Sequence, residues 1–230
     1  MRRIQFSLTV SEGKWLIAHA IADMKEVRDA IAGGRIVLKG GTTVSCVSEL
    51  ITGTPLRICG RISKRGAVSS KFTDSAQHSI MYSNGEITGL DPDFDTALLQ
   101  LGPNDVIIIG ANIIDNFGGA AMLAGSPAGN NCGRGVSAMS VEGGKTIIAA
   151  GMDASRGMAC GLFPVVGGLV TELSAIKLIA DVEATLIGRG GIDGAEGGCL
   201  FQACGSEAEV AKLEAVLEKC YGRQTSGEEK

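Results

Sequence analysis

Two glycine-rich stretches carry residue types from which a ligand site could be built. The first is Gly40-Gly41-Thr42-Thr43, which follows the apolar run Ile36-Val37-Leu38 and precedes a helical pattern over residues 44–51. Glycines after a parallel strand let a ligand approach the backbone, and the next helix offers unpaired N–H groups and its positive dipole end. Two threonine hydroxyls add donors. The competing reading is a tight turn in which Thr43 only caps the helix. The second stretch opens with Ile109-Gly110-Ala111-Asn112-Ile113-Ile114-Asp115-Asn116-Phe117-Gly118-Gly119 and continues to Gly135. A loop this long inside a compact domain is usually functional. It supplies backbone donors, the amides Asn116, Asn130 and Asn131, the carboxylate Asp115 and the cation Arg134. Gly110, Asn112, Gly118, Gly119 and Arg134 are therefore expected beside Gly40, Gly41, Thr42 and Thr43, around an anionic ligand. Asp115 is the candidate catalytic carboxylate. Asn and Gly can also shape turns with no ligand involved.

Three other patterns lead nowhere. Gly143-Gly144-Lys145-Thr146 resembles the end of a phosphate-binding P-loop, but Met139 stands where the first glycine is needed and the lysine opens a strand. Gly188-Arg189-Gly190-Gly191 lacks a strand-to-helix context and reads as a flexible hairpin tip. His19 and His78 have no metal-ligand partners at useful spacing, so no metal site is expected, and His78 reads as a helix or hairpin surface residue, with a catalytic histidine as the alternative. The seven cysteines are an odd, scattered set without a CxxC pair. They are expected to be reduced, with Cys132 and Cys160 among them, as in a cytoplasmic protein.

The elements that must position these residues follow from periodicity. Residues 14–32 read as two short helices ended by Gly33-Gly34, and residues 35–39 as a buried strand. Further parallel strands are expected at 56–59, 105–110 and 145–150, the third being an unbroken β-branched run. Residues 60–92 are polar, with a hairpin around Ser83-Asn84-Gly85. A short helix then runs to Leu101. From residue 163 the pattern becomes helix (169–180), strand (183–187), strand (199–203) and a final helix to Cys220. Ser206 is its expected N-cap, with Glu209 completing a capping box. The sequence thus predicts an α/β fold: a Rossmann-like, mostly parallel sheet with helices on both faces, plus a small C-terminal α+β lid. Its divisions are 1–162 (with a hairpin insertion at about 60–92), 163–221, and a frayed tail at 222–230.

Composition bounds the partners. With 230 residues, 45 % hydrophobic but only 4 % aromatic, and 34 glycines, the core is aliphatic and closely packed. A net charge of −4 argues against nucleic acid. No apolar run is long enough to span a bilayer, and the polar residues after Met1-Arg2-Arg3-Ile4-Gln5 do not suit a signal peptide. A homo-oligomer is compatible with all of this. No cofactor is indicated.

The order of parts resembles the superfamily of ribose-5-phosphate isomerase A, glucosamine-6-phosphate deaminase and the CoA-transferases. The likeness lies in Lys39-Gly-Gly-Thr-Thr-Val44, Ile107-Ile-Ile-Gly-Ala-Asn112, the loop from Gly118-Gly119 to Gly135 and Thr146-Ile-Ile-Ala-Ala150. It covers residues 33–60 and 104–221. The resemblance implies a small-molecule-binding protein for a phosphorylated or acyl-CoA-like anion. It does not imply the isomerase chemistry: where that branch has Asp-Gly-Ala-Asp-Glu, this chain has Ile109-Gly110-Ala111-Asn112-Ile113. A CoA-transferase would need a nucleophilic glutamate, for which Glu142 and Glu172 are candidates. The alternative expectation is a non-enzymatic regulatory or assembly protein on the same scaffold.

Overall fold

The computed structural model describes residues 1–63, 66–69, 76–124, 139, 144–152 and 161–227. It is a mixed α/β structure centred on a six-stranded sheet. The chain opens with β1 (Arg2–Leu8), α1 (Val10–Asp23), α2 (Lys25–Gly33), β2 (Ile36–Lys39) and α3 (Thr42–Thr52). The hairpins β3 (Gly60–Ser63)/β4 (Gly66–Ser69) and β5 (Ser79–Ser83)/β6 (Glu86–Gly89) follow, then α4 (Phe94–Leu98) and β7 (Val106–Gly110). Next come β8 (Ile113–Ile114), β9 (Ala120–Ala124), β10 (Lys145–Ala149), β11 (Gly161–Val165) and β12 (Gly168–Val170). The chain ends with α5 (Glu172–Ile179), β13 (Val182–Gly190), β14 (Gly198–Gly205) and α6 (Glu207–Cys220).

The main sheet has the order β12-β10-β7-β2-β5-β6. The first four strands are mutually parallel, while β5 pairs antiparallel with β2 and β6 antiparallel with β5. The expected strand at 56–59 is absent from it. Arg57 N–H donates to the Gln77 carbonyl at 3.0 Å, and β5 takes the place beside β2. A two-residue turn explains why the hairpin wins: Asn84 and Gly85 both have positive φ, 50° and 85°, the pairing that matches strand twist.

Alternation along the central strands feeds two cores. Ile36, Leu38, Val106, Ile108 and Ile147 face one, together with α1, α3 and the C-terminal elements. Val37, Ile107, Ile109 and Ile148 face the other, with Phe94 and Leu98 of α4. That second face was expected to carry helices. Among the described residues it is covered by α4, by the helical residue Met139 and by a small antiparallel sheet, β11-β9-β8, whose Ala120 and Val165 enter the core.

The C-terminal segment expected as a lid shares its sheet and its core with the N-terminus. β1 pairs with β14 over its full length, so the order is β1-β14-β13. Phe6 and Phe201 stack at 5.7 Å between ring centroids. Ser206 does cap α6, accepting from Glu209 N–H at 3.2 Å. The Glu209 carboxylate does not close a capping box; it accepts from Asp181 N–H at 2.7 Å and ties α6 to the start of β13. The polar segment after α6, expected to fray, is docked as far as residue 227. Trp15 Nε1 donates to the Gln224 carbonyl at 2.8 Å, and the Arg223 guanidinium lies 3.2 Å from the indole centroid. Ser226 is buried against Ser45 and also donates to Glu49. These partners are distant in sequence, so local composition could not reveal them. No helix is long and apolar enough to cross a membrane among the described residues.

Candidate functional site

Parallel strands bring their C-terminal ends to one edge of the sheet, which is where sites in such sheets form. β2 and β7 are direct neighbours, with Leu38 opposite Ile108, so the Gly40 turn and Gly110 leave the sheet at the same end. Gly110 faces α3: a Cβ built on it would lie 4.0 Å from Val44 Cγ2. These two parts of the expected site do come together.

α3 starts directly from the turn. Gly41 is its N-cap and supplies no side-chain acceptor. The N–H groups of Thr42, Thr43 and Val44 have no acceptor among the described residues, whereas Ser45 N–H already bonds Gly41 O at 2.8 Å. The Thr43 residue is only 7 % exposed, yet its hydroxyl oxygen is accessible to solvent and has no hydrogen-bond partner among the described residues. A helix Cα–Cβ bond tilts toward the N-terminus, so this hydroxyl lies on the side of the turn. The Thr43 side chain therefore does not cap the helix. Space above the turn is open, since a Cβ on Gly41 would touch nothing within 4 Å.

Gly40 has a different role. A Cβ there would collide with the Nδ1–Cε1 edge of the His78 ring, so glycine is what allows the imidazole to lie against the turn. His78 is thus not the surface residue expected from its sequence neighbours. Its Nδ1 lies 2.9 Å from the Arg57 carbonyl. A carbonyl only accepts, so Nδ1 carries the proton and Nε2 presents a lone pair. Burial, followed by the nearby Lys39 charge, pushes the His78 pKa down to about 4, so the ring is neutral at pH 7. Arg57 and Asp91 brace this ring. Arg57 Nη2 donates to Asp91 Oδ2 at 2.8 Å, and Asp91 also accepts the N–H groups of His78 (2.9 Å) and Ser79 (2.7 Å). Burial pushes the Asp91 carboxyl up, but the bonds from His78, Arg57 and Ser79 outweigh it and hold the pKa below the usual value. One signal for this cluster was present in the sequence: an arginine within the apolar run Leu56-Arg57-Ile58 requires a buried partner.

The second expected stretch serves another purpose. Asn112 Oδ1 accepts from Leu123 N–H at 3.1 Å, pinning β9. Asp115 Oδ1 accepts the N–H groups of Phe117 (2.7 Å) and Gly119 (2.8 Å), closing an exposed turn. Gly118 has φ 88° in that turn, and a Cβ on Gly119 would meet Asp115 Oδ2 at 2.5 Å. Asn112, Asp115, Gly118 and Gly119 therefore build the β8–β9 turn. Arg134, Asn130, Asn131, Cys132, Glu142 and Cys160 lie outside the described residues.

Glu172 reaches the same sheet end from the last parallel strand. It is 4 % exposed and accepts Met152 N–H at 2.9 Å, linking the exits of β10 and β12. Gly13 leaves it room, since a Cβ there would lie 2.8 Å from Glu172 Oε1. At the opposite sheet end is an open groove of about 420 Å³ beside Arg35 and Asp105. Asp105 already accepts from Arg35 N–H (2.8 Å), Arg35 Nη2 (2.7 Å) and Gly102 N–H (2.8 Å), so that pair acts as a clasp. Among the described residues no group of three or more His, Cys, Asp or Glu could hold a metal ion.

No protein-family model matches this sequence, and no curated protein or solved structure matches it.

Proposed function

We propose that this protein binds a small anionic metabolite, phosphorylated or acyl-CoA-like, at the Gly40–Thr43 turn. One observation carries the reading: α3 begins at the C-terminal edge of the parallel strands with three N–H groups and the Thr43 hydroxyl unpartnered among the described residues. A bound oxyanion supplies acceptors to these donors and meets the helix dipole favourably. Membership of the isomerase and CoA-transferase superfamily, on a Rossmann-like scaffold, is the frame in which such a site would have arisen. The chemistry around it is that of binding. A histidine with a pKa of about 4 is a poor base at neutral pH, and Asp115 is engaged in its own turn.

The test is thermal-shift screening of sugar phosphates, CoA esters and nucleotides against the wild type and Gly41→Val. Gly41 has φ 164°, ordinary extended backbone, with open space around it, so the variant should fold. Stabilisation of the wild type that disappears in the variant is expected. Equal stabilisation of both would place the ligand elsewhere.

A further inference from the structure

His78 deepens that reading and rests on it. The turn offers two kinds of group to a ligand. The N–H groups of Thr42, Thr43 and Val44 are donors, and an oxyanion satisfies donors. His78 Nε2 is the opposite. Its ring proton is committed at Nδ1 to the Arg57 carbonyl, and Nε2 has no partner among the described residues. The ring lies directly against Gly40, two residues from the first free helix N–H, and consecutive Cα atoms are about 3.8 Å apart. Nε2 is bonded to Cε1 and so lies within a few ångströms of Gly40, in reach of a ligand that covers both the turn and the helix end. An unprotonated anion carries only acceptors. Placed there alone, it would leave that lone pair facing other lone pairs.

We propose that His78 is a specificity-determining residue, selecting anions that carry a hydroxyl or amino donor close to the anionic group. The ring is well suited to this task. Gly40 admits it, the Arg57 carbonyl fixes its tautomer, and the Arg57–Asp91 pair holds the backbone on either side of it. It is a fixed neutral acceptor with no charge to offer an anion. Sites built to hydrogen-bond a hydroxyl discriminate strongly against analogues that lack it.

Two probes with the same phosphate group isolate the effect: glycerol 3-phosphate, which has hydroxyls, and propyl phosphate, which has none. Titration calorimetry at pH 7.5 should show wild type binding glycerol 3-phosphate about 10-fold more tightly or better. His78→Asn places an amide N–H near Nδ1 but removes the Nε2 acceptor. It should bring the ratio close to one, weakening glycerol 3-phosphate and relieving the penalty on propyl phosphate. His78→Gln, whose amide oxygen can stand near Nε2, should recover part of the preference. Circular dichroism confirms that each variant is folded. Equal affinity of wild type for both probes overturns the inference and leaves the anion site standing. A preference that survives in both variants also overturns it. Binding of neither probe removes the anion site, and this inference with it.

Discussion

His78 is held without charge by its surroundings, burial acting first and Lys39 second, and its pKa falls to about 4 from an ordinary 6.5. Between those values the unfolded chain binds a proton that the native protein does not. The stability this represents is fully present above pH 6.5 and is lost as pH falls toward 4, a span worth about 3 kcal/mol. His19 acts in the same direction, lowered by burial and by Lys219 and Arg223. Urea midpoints should therefore fall between pH 7 and pH 4.5, and His78→Asn should flatten that slope; an unchanged slope would refute the assignment. Gly40 and Gly41 make a second contrast. Gly40→Ala collides with the His78 ring and should cost about 1–3 kcal/mol. Gly41→Ala meets only open space and should cost a few tenths, both read from denaturant melts. The third residue-level expectation is catalytic. Ile109 is fully buried, and the Asn112 amide oxygen receives Leu123 N–H, so neither supplies the carboxylate that sugar-phosphate isomerisation needs. A coupled assay should show no ribose-5-phosphate isomerase activity. Turnover of about 1–10³ per second would contradict this and make Asp115 the first residue to mutate.

At the scale of elements, local signals carried far. Gly53 ends α3 with φ 74°, where an L side chain is strained, so Gly53→Ala should lower stability by about 1 kcal/mol in urea. A neutral result would mean that the helix end relaxes at no cost. The β-branched run at 105–110, the Asn84-Gly85 turn and Ser206 as N-cap were all legible, because each is decided within a few residues. Where elements compete for one position, the sequence alone misled. The run Leu56-Arg57-Ile58 has the pattern of a buried strand, but the β5–β6 hairpin holds the place beside β2 and leaves the run outside the main sheet. The glycine-rich stretch after β7 read as a ligand loop, yet its β-branched pair Ile113-Ile114 found a partner in β9 and became a small sheet.

Across the whole molecule, the two ends of the chain close one core. β1 completes the C-terminal sheet, and residues 222–226 strap α1 to α3. Trp15, the single tryptophan, lies beneath that strap at 2 % exposure. Truncation before Gly222 should shift its emission to the red and cost about 2 kcal/mol or more, through the loss of buried hydrogen bonds and the Arg223 stack. Unchanged fluorescence would show that the strap does not shield the indole. The alternation of Ile4, Phe6 and Leu8 with Arg3, Gln5 and Ser7 is itself a strand signal, so β1 was open to a closer reading. Its partner was not, because pairing Arg2 with Gly205 spans nearly the whole chain. By itself the sequence determined an α/β class, the parallel core strands and the glycine turn before α3, all properties of neighbouring residues and their period. Only the tertiary structure decided that His78 lies on Gly40, that Asp115 serves a turn, and that the tail covers Trp15. Each of these depends on which distant groups compete for the same space and the same hydrogen-bond partners, and that competition is settled only when the chain is packed.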